Sequence, residues 1–234
     1  EAGYRTAAQV LCNSLAALVA SVLWTGMFSR DSYVSAVLPR ALVQQGEPYD
    51  ADAWCALSPE HGRGWSRWLL FVALGHFACC LGDTLASELG ILADAPPLLI
   101  TTLARVPPGT NGAISVYGTA ASAAGGLIMG SAMAISLAIE SVACRYAWPS
   151  LFGELVVKGT VAGLFGSLID SFMGATIQRT RYSTASKRIL LDDTVVPASS
   201  AGEIKVVSGF NLLTNNQVNL VSSIVTALAT AYLA

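Results

Sequence analysis

Several side chains in this sequence stand where a lipid-embedded chain can ill accommodate them. In "LGDTLASELG", Asp83, Thr84, Ser87 and Glu88 interrupt a long apolar stretch, and in "GSLIDSFMGATIQ" Asp170 interrupts another. A carboxylate at bilayer depth costs roughly 3 kcal/mol or more unless it is paired, solvated or metal-bound. On a helix, Asp83 and Ser87 share one face, and Thr84 and Glu88 share the next. Gly166, Asp170 and Gly174 fall on one line, so the third carboxylate sits in a strip cleared of bulk, followed by Ser171 and Gln178. Asn13 breaks an earlier apolar run, and Asn215, Asn216 and Asn219 open the last one in "LLTNNQVNLVSS". Carboxylates in such a setting hold a hard cation such as Mg²⁺ through oxygen.

A second feature points to phosphate. "RVPPGTNGAISVYG" places Arg105, Pro107, Pro108, Gly109, Thr110, Asn111 and Gly112 directly ahead of an apolar stretch. The glycines permit backbone geometries that other residues avoid, and the prolines stiffen the approach. Successive N–H groups ahead of a helix form an anion site, reinforced by the positive end of the helix dipole. Thr110 and Asn111 add side-chain donors and Arg105 a charge. The loop is no Walker motif, because GxxxxGK[ST] is absent. Carboxylates beside a phosphate cradle point to phosphoryl chemistry.

The elements that position these groups are long and apolar. Of the 234 residues, 53% are hydrophobic and only 12% charged, with a mean hydropathy of +0.57. This is too little charge to cover a soluble surface, and the net charge of −2 excludes a nucleic-acid partner. Five stretches can cross a bilayer, which takes about 20 residues: Thr6 to Phe28, Trp65 to Leu92, Ala113 to Cys144, Pro149 to Gln178 and Val207 to Leu233. The expected fold is an all-α integral membrane protein, a bundle of about five transmembrane helices. It forms one multi-pass domain over residues 1–234, with polar loops at about 29–64 and 179–206. Strands are not expected in runs this long that lack alternation.

With alternating crossings, Asn13, Asp83, Glu88, the Gly109–Gly112 loop, the stretch from Asp170 to Gln178 and the asparagines of the last segment share one leaflet. Hydrogen bonding between helices is the plain alternative for Asn13, Thr84 or Ser87 taken singly. Three carboxylates with an asparagine cluster at one membrane face favour a ligand. Basic residues do not orient the chain, since Arg5, Arg105, Arg179, Arg181, Lys187, Arg188 and Lys205 on one side oppose Arg30, Arg40, Arg63, Arg67, Arg145 and Lys158 on the other. The cluster from Arg179 to Arg188 reads as a solvated or headgroup-facing edge that can also draw in a nucleotide.

Other features read as structural. Ser122, Gly126 and Gly130, and Gly159 with Gly163, recur at the four-residue spacing that lets membrane helices approach closely. Glu154 can pair with Lys158, Glu140 lies near a segment end, and His76 reads as a core histidine. The five cysteines, Cys12, Cys55, Cys79, Cys80 and Cys144, show no metal spacing and read as small buried hydrophobes without a disulfide framework. The chain begins at Glu1 with no basic leader or cleavage site, so upstream sequence is expected to have been removed or to lie outside it.

These motifs carry a resemblance. "GDTLASELG", "LITTLARVPPGTNGAISVYGTAASAAGG", "GSLIDSFMGATIQ" and "NNQVNLVSS", in this order, resemble the transmembrane protein 19 family, polytopic membrane proteins that include the plant phytyl-phosphate kinase of prenyl-lipid metabolism. "QVLCNS" resembles the family segment that ends in Asn-Gly, so the likeness runs from about Gln9 to the C-terminus. The departures are Ser14 and Ala113 in place of glycine, and Arg105 in place of lysine.

The resemblance implies weight on Asp83, Thr84, Ser87, Glu88, Gly109 to Gly112, Ser115, Gly118, Gly166, Asp170, Ser171, Gly174, Gln178, Asn215, Asn216 and Asn219. It also implies further membrane helices ahead of this region; if these complete a lipid groove, the chain alone is inactive. The expected activity is transfer of a phosphoryl group from CTP or ATP, with Mg²⁺, to a prenyl monophosphate held among membrane lipids. Asp83, Glu88 and Asp170 are expected to hold Mg²⁺ or orient the acceptor, the Gly109–Gly112 amides and Arg105 the donor phosphates, and Asn215 and Asn219 phosphate or ribose oxygens. The competing expectation is a non-catalytic accessory subunit in an organellar complex, plastid or mitochondrial, bound to other membrane subunits. Co-purification with such a complex without bound nucleotide distinguishes it. An ion or lipid transporter using the same carboxylates fits the glycine loop less well.

Overall fold

A computed structural model describes residues 6–39, 47–93, 95–190, 194–195 and 202–234; Arg5 and Arg40 of the charge count lie outside them. The helices are α1 (Ala7–Cys12), α2 (Leu15–Phe28), α3 (Tyr33–Val37), α4 (Trp65–Gly90), α5 (Val116–Glu140), α6 (Val142–Tyr146), α7 (Trp148–Ile177) and α8 (Asn215–Tyr232). Their ends follow local chemistry. The Ser115 hydroxyl accepts from the Gly118 amide at 3.0 Å and so caps α5, and Pro149 sits in the first turn of α7, where its missing N–H costs nothing. Thr214 and Gln217 form a reciprocal capping box at α8.

The stretches His61–Gly90, Val116–Glu140 and Trp148–Ile177 are long and apolar enough to cross a membrane. The 26 residues of α4 give a rod of about 39 Å, against a hydrocarbon thickness of about 30 Å, so its ends reach the interfaces or the helix tilts. The first expected span is helical in two pieces that meet at Asn13 and Ser14. The last begins later than its hydropathy implies, because Val207 and Ser208 belong to a strand and the helix starts at Asn215.

Strands appear only outside the helices. β1 (Leu98–Leu99) pairs antiparallel with β2 (Ala113–Ile114), closing the glycine loop at its base. β3 (Thr180–Ser183), β4 (Arg188–Leu190) and β5 (Ile204–Ser208) form an antiparallel sheet in the order β4-β3-β5.

Within the bundle α4 packs against α2, α5, α7 and α8, while α5 packs along α7. The small-residue spacing is used as expected: a Cβ on Gly126 would lie 2.1 Å from the Gly159 carbonyl oxygen, and one on Gly82 2.8 Å from that of Gly163. With no side chain between them, the three helices pack backbone to backbone.

The end of the bundle where α4 starts is held differently. Trp24, Phe28, Tyr49, Trp54 and His61 stack in a connected aromatic cluster. The expected Glu154–Lys158 pair forms at 3.2 Å. Arg67 joins it by a bidentate pair to Glu154, and both cations lie over the Phe71 ring, at 5.0 and 4.6 Å.

The reading of the cysteines is corrected here. Cys55 and Cys144 form a disulfide, with Cα atoms 4.6 Å apart and a sequence separation of 89. Sequence spacing could not reveal it, because the antiparallel return of α4 and α5 brings the two residues together. Cys12, Cys79 and Cys80 are free, and only Cys79 is fully buried.

Candidate active site

At the opposite end of the three long helices a cavity of about 200 Å³ is lined by Asp83 and Ser87 of α4, Ser122 and Thr119 of α5, Ser167, Asp170 and Ser171 of α7, Asn215 of α8 and the loop from Pro108 to Ser115. Four helices and one loop, distant in sequence, thus supply polar groups to a single space. The Ser167 hydroxyl donates to Asp83 Oδ1 at 3.2 Å, and the Ser222 hydroxyl donates to Asp170 Oδ2 at 2.8 Å. With its amide in the orientation that satisfies both neighbours, Asn219 also donates to Asp170 Oδ2, at 3.2 Å. Among the described residues neither carboxylate pairs with a lysine or arginine. Two acids therefore face one space with hydroxyl and amide donors but no counter-ion, which is the donor set a cation completes.

The glycine loop reaches this space through the strip that glycine clears on α7. A Cβ on Gly174 would lie 3.0 Å from the Gly112 amide nitrogen, and a Cβ on Gly112 would lie 2.3 Å from the Ser171 carbonyl oxygen. Gly112 also has φ +75°, a region only glycine adopts without strain. The sheet holds the loop from the other side. The Asn111 amide donates to the buried Thr180 hydroxyl at 3.2 Å, and Ser208 donates to the same oxygen at 3.1 Å.

These bonds narrow the expected cradle. The Thr110 amide is committed to the Pro107 carbonyl at 3.2 Å, and the Asn111 amide to Thr180. The anion donors that remain are the Gly109 and Gly112 amides, the Asn111 side chain and the N-terminus of α5, with the N-terminus of α8 at Asn215 beside them.

The remaining expected site residues divide by position. Gly109, Thr110, Asn111, Gly112, Ser87, Ser171 and Asn215 line the cavity with Asp83 and Asp170. Asn219 lies behind Asp170, and Gln178, buried, donates to Asn215 Oδ1 at 3.5 Å. Glu88 is exposed and outside the lining, because five residues along a helix rotate it about 140° from Asp83. Thr84 stands on that other face and is also outside the lining. Arg105 is exposed and bridged to Leu98 at the base of the loop, away from the cavity. Asn13 stands at the α1–α2 break, where its Oδ1 is buried with no hydrogen-bond partner among the described residues. With Glu88 outside, no group of three or more His, Cys, Asp or Glu among the described residues could hold a metal. The two carboxylates that remain are fewer than a protein-only metal cage needs, and Mg²⁺ sites commonly make up the difference with water and phosphate oxygens.

Sequence reasoning missed Ser167, Ser222 and Thr180. Ser222 had a signal, since Asn215, Asn219 and Ser222 follow one helical face at i, i+4 and i+7. Ser222→Ala is expected to lower Mg²⁺ affinity 10- to 100-fold with little loss of stability, as removal of a hydrogen bond behind a metal ligand does; isothermal titration checks it. Gly112→Ala is expected to displace the loop from α7 and abolish phosphate-analogue binding, because its Cβ would meet the Ser171 carbonyl and the Ala175 amide nitrogen at 2.3 and 2.4 Å. Binding of a fluorescent nucleotide analogue reads this out.

Comparison with known proteins places this chain in a family. No solved structure matches the chain. The protein named PGR from Arabidopsis thaliana is 39% identical over 159 residues, covering 68% of this chain and 52% of the relative. Uncharacterized membrane proteins of Methanocaldococcus jannaschii and of Synechocystis are 36% and 35% identical over 48% and 54% of this chain, and 42% and 45% of their own length. The chain thus spans about half the length of the curated relatives it matches. Residues 1–227 match the family described as integral membrane protein DUF92. With that match over nearly its whole length, the chain belongs to the DUF92 family of integral membrane proteins.

Proposed function

We propose that the cavity between Asp83, Asp170 and the glycine loop is the active site of a prenyl-phosphate kinase in an organellar membrane. The observation that carries this reading is the facing pair of carboxylates, without a basic partner among the described residues, in the same cavity as Asn111, Gly112 and two helix N-termini. An oxygen of the acceptor monophosphate bonds to the terminal phosphorus of ATP or CTP while that phosphorus parts from the oxygen of the departing nucleoside diphosphate. Such transfer needs positioning and charge neutralisation more than covalent chemistry from the protein.

The residues present fit Mg²⁺, which Asp83 and Asp170 would hold. When bound, it neutralises charge on the phosphate oxygens. Ser167, Ser222 and Asn219 fix the two carboxylates so that each keeps its other oxygen for the ligand. The Asn111 side chain and the free loop amides orient the donor phosphates, and Asn215 contacts phosphate or ribose oxygens. The α4, α5 and α7 walls restrict water, favouring transfer to the lipid phosphate over hydrolysis.

The test is direct. Purified protein in nanodiscs, given Mg²⁺, labelled ATP or CTP and phytyl or geranylgeranyl monophosphate, is expected to form the labelled diphosphate. Absence of product with every pairing of donor and acceptor, in protein that binds Mg²⁺, overturns the kinase reading.

A further inference from the structure

A disulfide marks one end of the bundle. The Cys55–Cys144 disulfide ties the segment ahead of α4 to the short α6. The tie is reinforced where Ser141 donates to the Ala51 carbonyl at 2.8 Å and the Ala143 amide to the same oxygen at 3.4 Å. Arg67 lies beside Cys55 around a second cavity at this end. Asp83 lies about 24 Å further along the same helix at 1.5 Å per residue, most of the thickness of a bilayer core. The disulfide and the carboxylate cavity are therefore at opposite membrane faces.

Disulfides form and persist in oxidising compartments and are kept reduced by glutathione and thioredoxin elsewhere. We infer that the Cys55–Cys144 end faces an oxidising compartment, and that the Asp83–Asp170 cavity opens to the reducing compartment across the membrane. This resolves what charge counting left open, because the disulfide has a side where the balanced basic residues do not. The consequence for the site rests on the kinase reading: the soluble phosphoryl donor arrives from the reducing side, past Arg179, Lys187 and Arg188, while the lipid acceptor enters from the membrane.

Sealed membrane vesicles of both orientations test this. Peptide mass spectrometry without reductant is expected to recover Cys55 linked to Cys144. Reporter cysteines at exposed positions give the sides: with a membrane-impermeant maleimide, Asp31→Cys labels only from the oxidising side and Ser186→Cys only from the reducing side. Free Cys55 and Cys144 in freshly prepared membranes, Ser186→Cys labelling from the oxidising side, or both reporters labelling from one side each overturn the assignment. None of these readouts depends on catalysis. An inactive protein with the expected labelling sinks the kinase reading alone, and an active one with reversed labelling sinks the topology alone.

Discussion

Asp83→Asn combined with Asp170→Asn is expected to cut Mg²⁺-dependent diphosphate formation by about 10³-fold or more, the scale on which a preorganised charge in a water-poor site acts, while leaving the bundle folded. The second half of the expectation makes the first informative. Neither carboxylate takes part in a salt bridge among the described residues, and their hydrogen bonds come from the Ser167 and Ser222 hydroxyls and the Asn219 amide. An amide oxygen can accept the same hydroxyls, so no buried donor is orphaned. The two like charges lose their mutual repulsion, and without Mg²⁺ the double variant melts no lower than the wild type. Mg²⁺ then separates the proteins. A ligand at 100 times its dissociation constant stabilises the folded state by about 2.7 kcal/mol, which for a chain of this size raises the melting temperature by roughly 5–10 °C. The wild type shows that rise and the double variant none. Equal Mg²⁺ stabilisation of both proteins places the cation elsewhere.

The same pair of acids shows how far the sequence could be read. Its helical periodicity assigned Asp83 with Ser87 to one face and Thr84 with Glu88 to the next, and both faces carried a carboxylate. Only the packing of α4 against α5 and α7 decides which face turns to the cavity, and that depends on glycine contacts between helices far apart in sequence. Glu88 and Arg105 were therefore drawn in by residue type and proximity along the chain, although one lies on the far side of its helix and the other is fixed at the base of a hairpin. The sheet that clamps the loop was hidden for a different reason: β5 runs into an apolar stretch, and hydropathy assigned its last residues to a membrane span. The clustering at one membrane face was legible because it needs only alternating crossings, and the structure does bring Asp83, Asp170 and Asn111 around one cavity.

The clustering depends in turn on how closely the helices approach, and Gly126 is where that approach is tightest. A Cβ there would lie 2.1 Å from the Gly159 carbonyl oxygen, 2.8 Å from the Gly159 carbonyl carbon and 2.9 Å from the Thr160 Cα. All three are backbone atoms, so no rotamer change relieves the contact, and α5 and α7 have to separate. In a membrane no hydrophobic force between helices offsets the lost packing, because lipid tails are as apolar as leucine. Gly126→Val is therefore expected to destabilise the fold by about 3 kcal/mol or more. Since Thr119 and Ser122 on α5 face Asp170 on α7 across the cavity, it removes ligand binding along with stability. Gly153 on the same α7 is the control: a Cβ added there would meet nothing within 4 Å. Gly153→Ala gains about 0.5–1 kcal/mol from helix propensity and backbone entropy. Thermal unfolding of the two variants side by side gives opposite signs if the α5–α7 contact holds the site together. A Gly126→Val protein as stable as wild type means that the helices do not meet there.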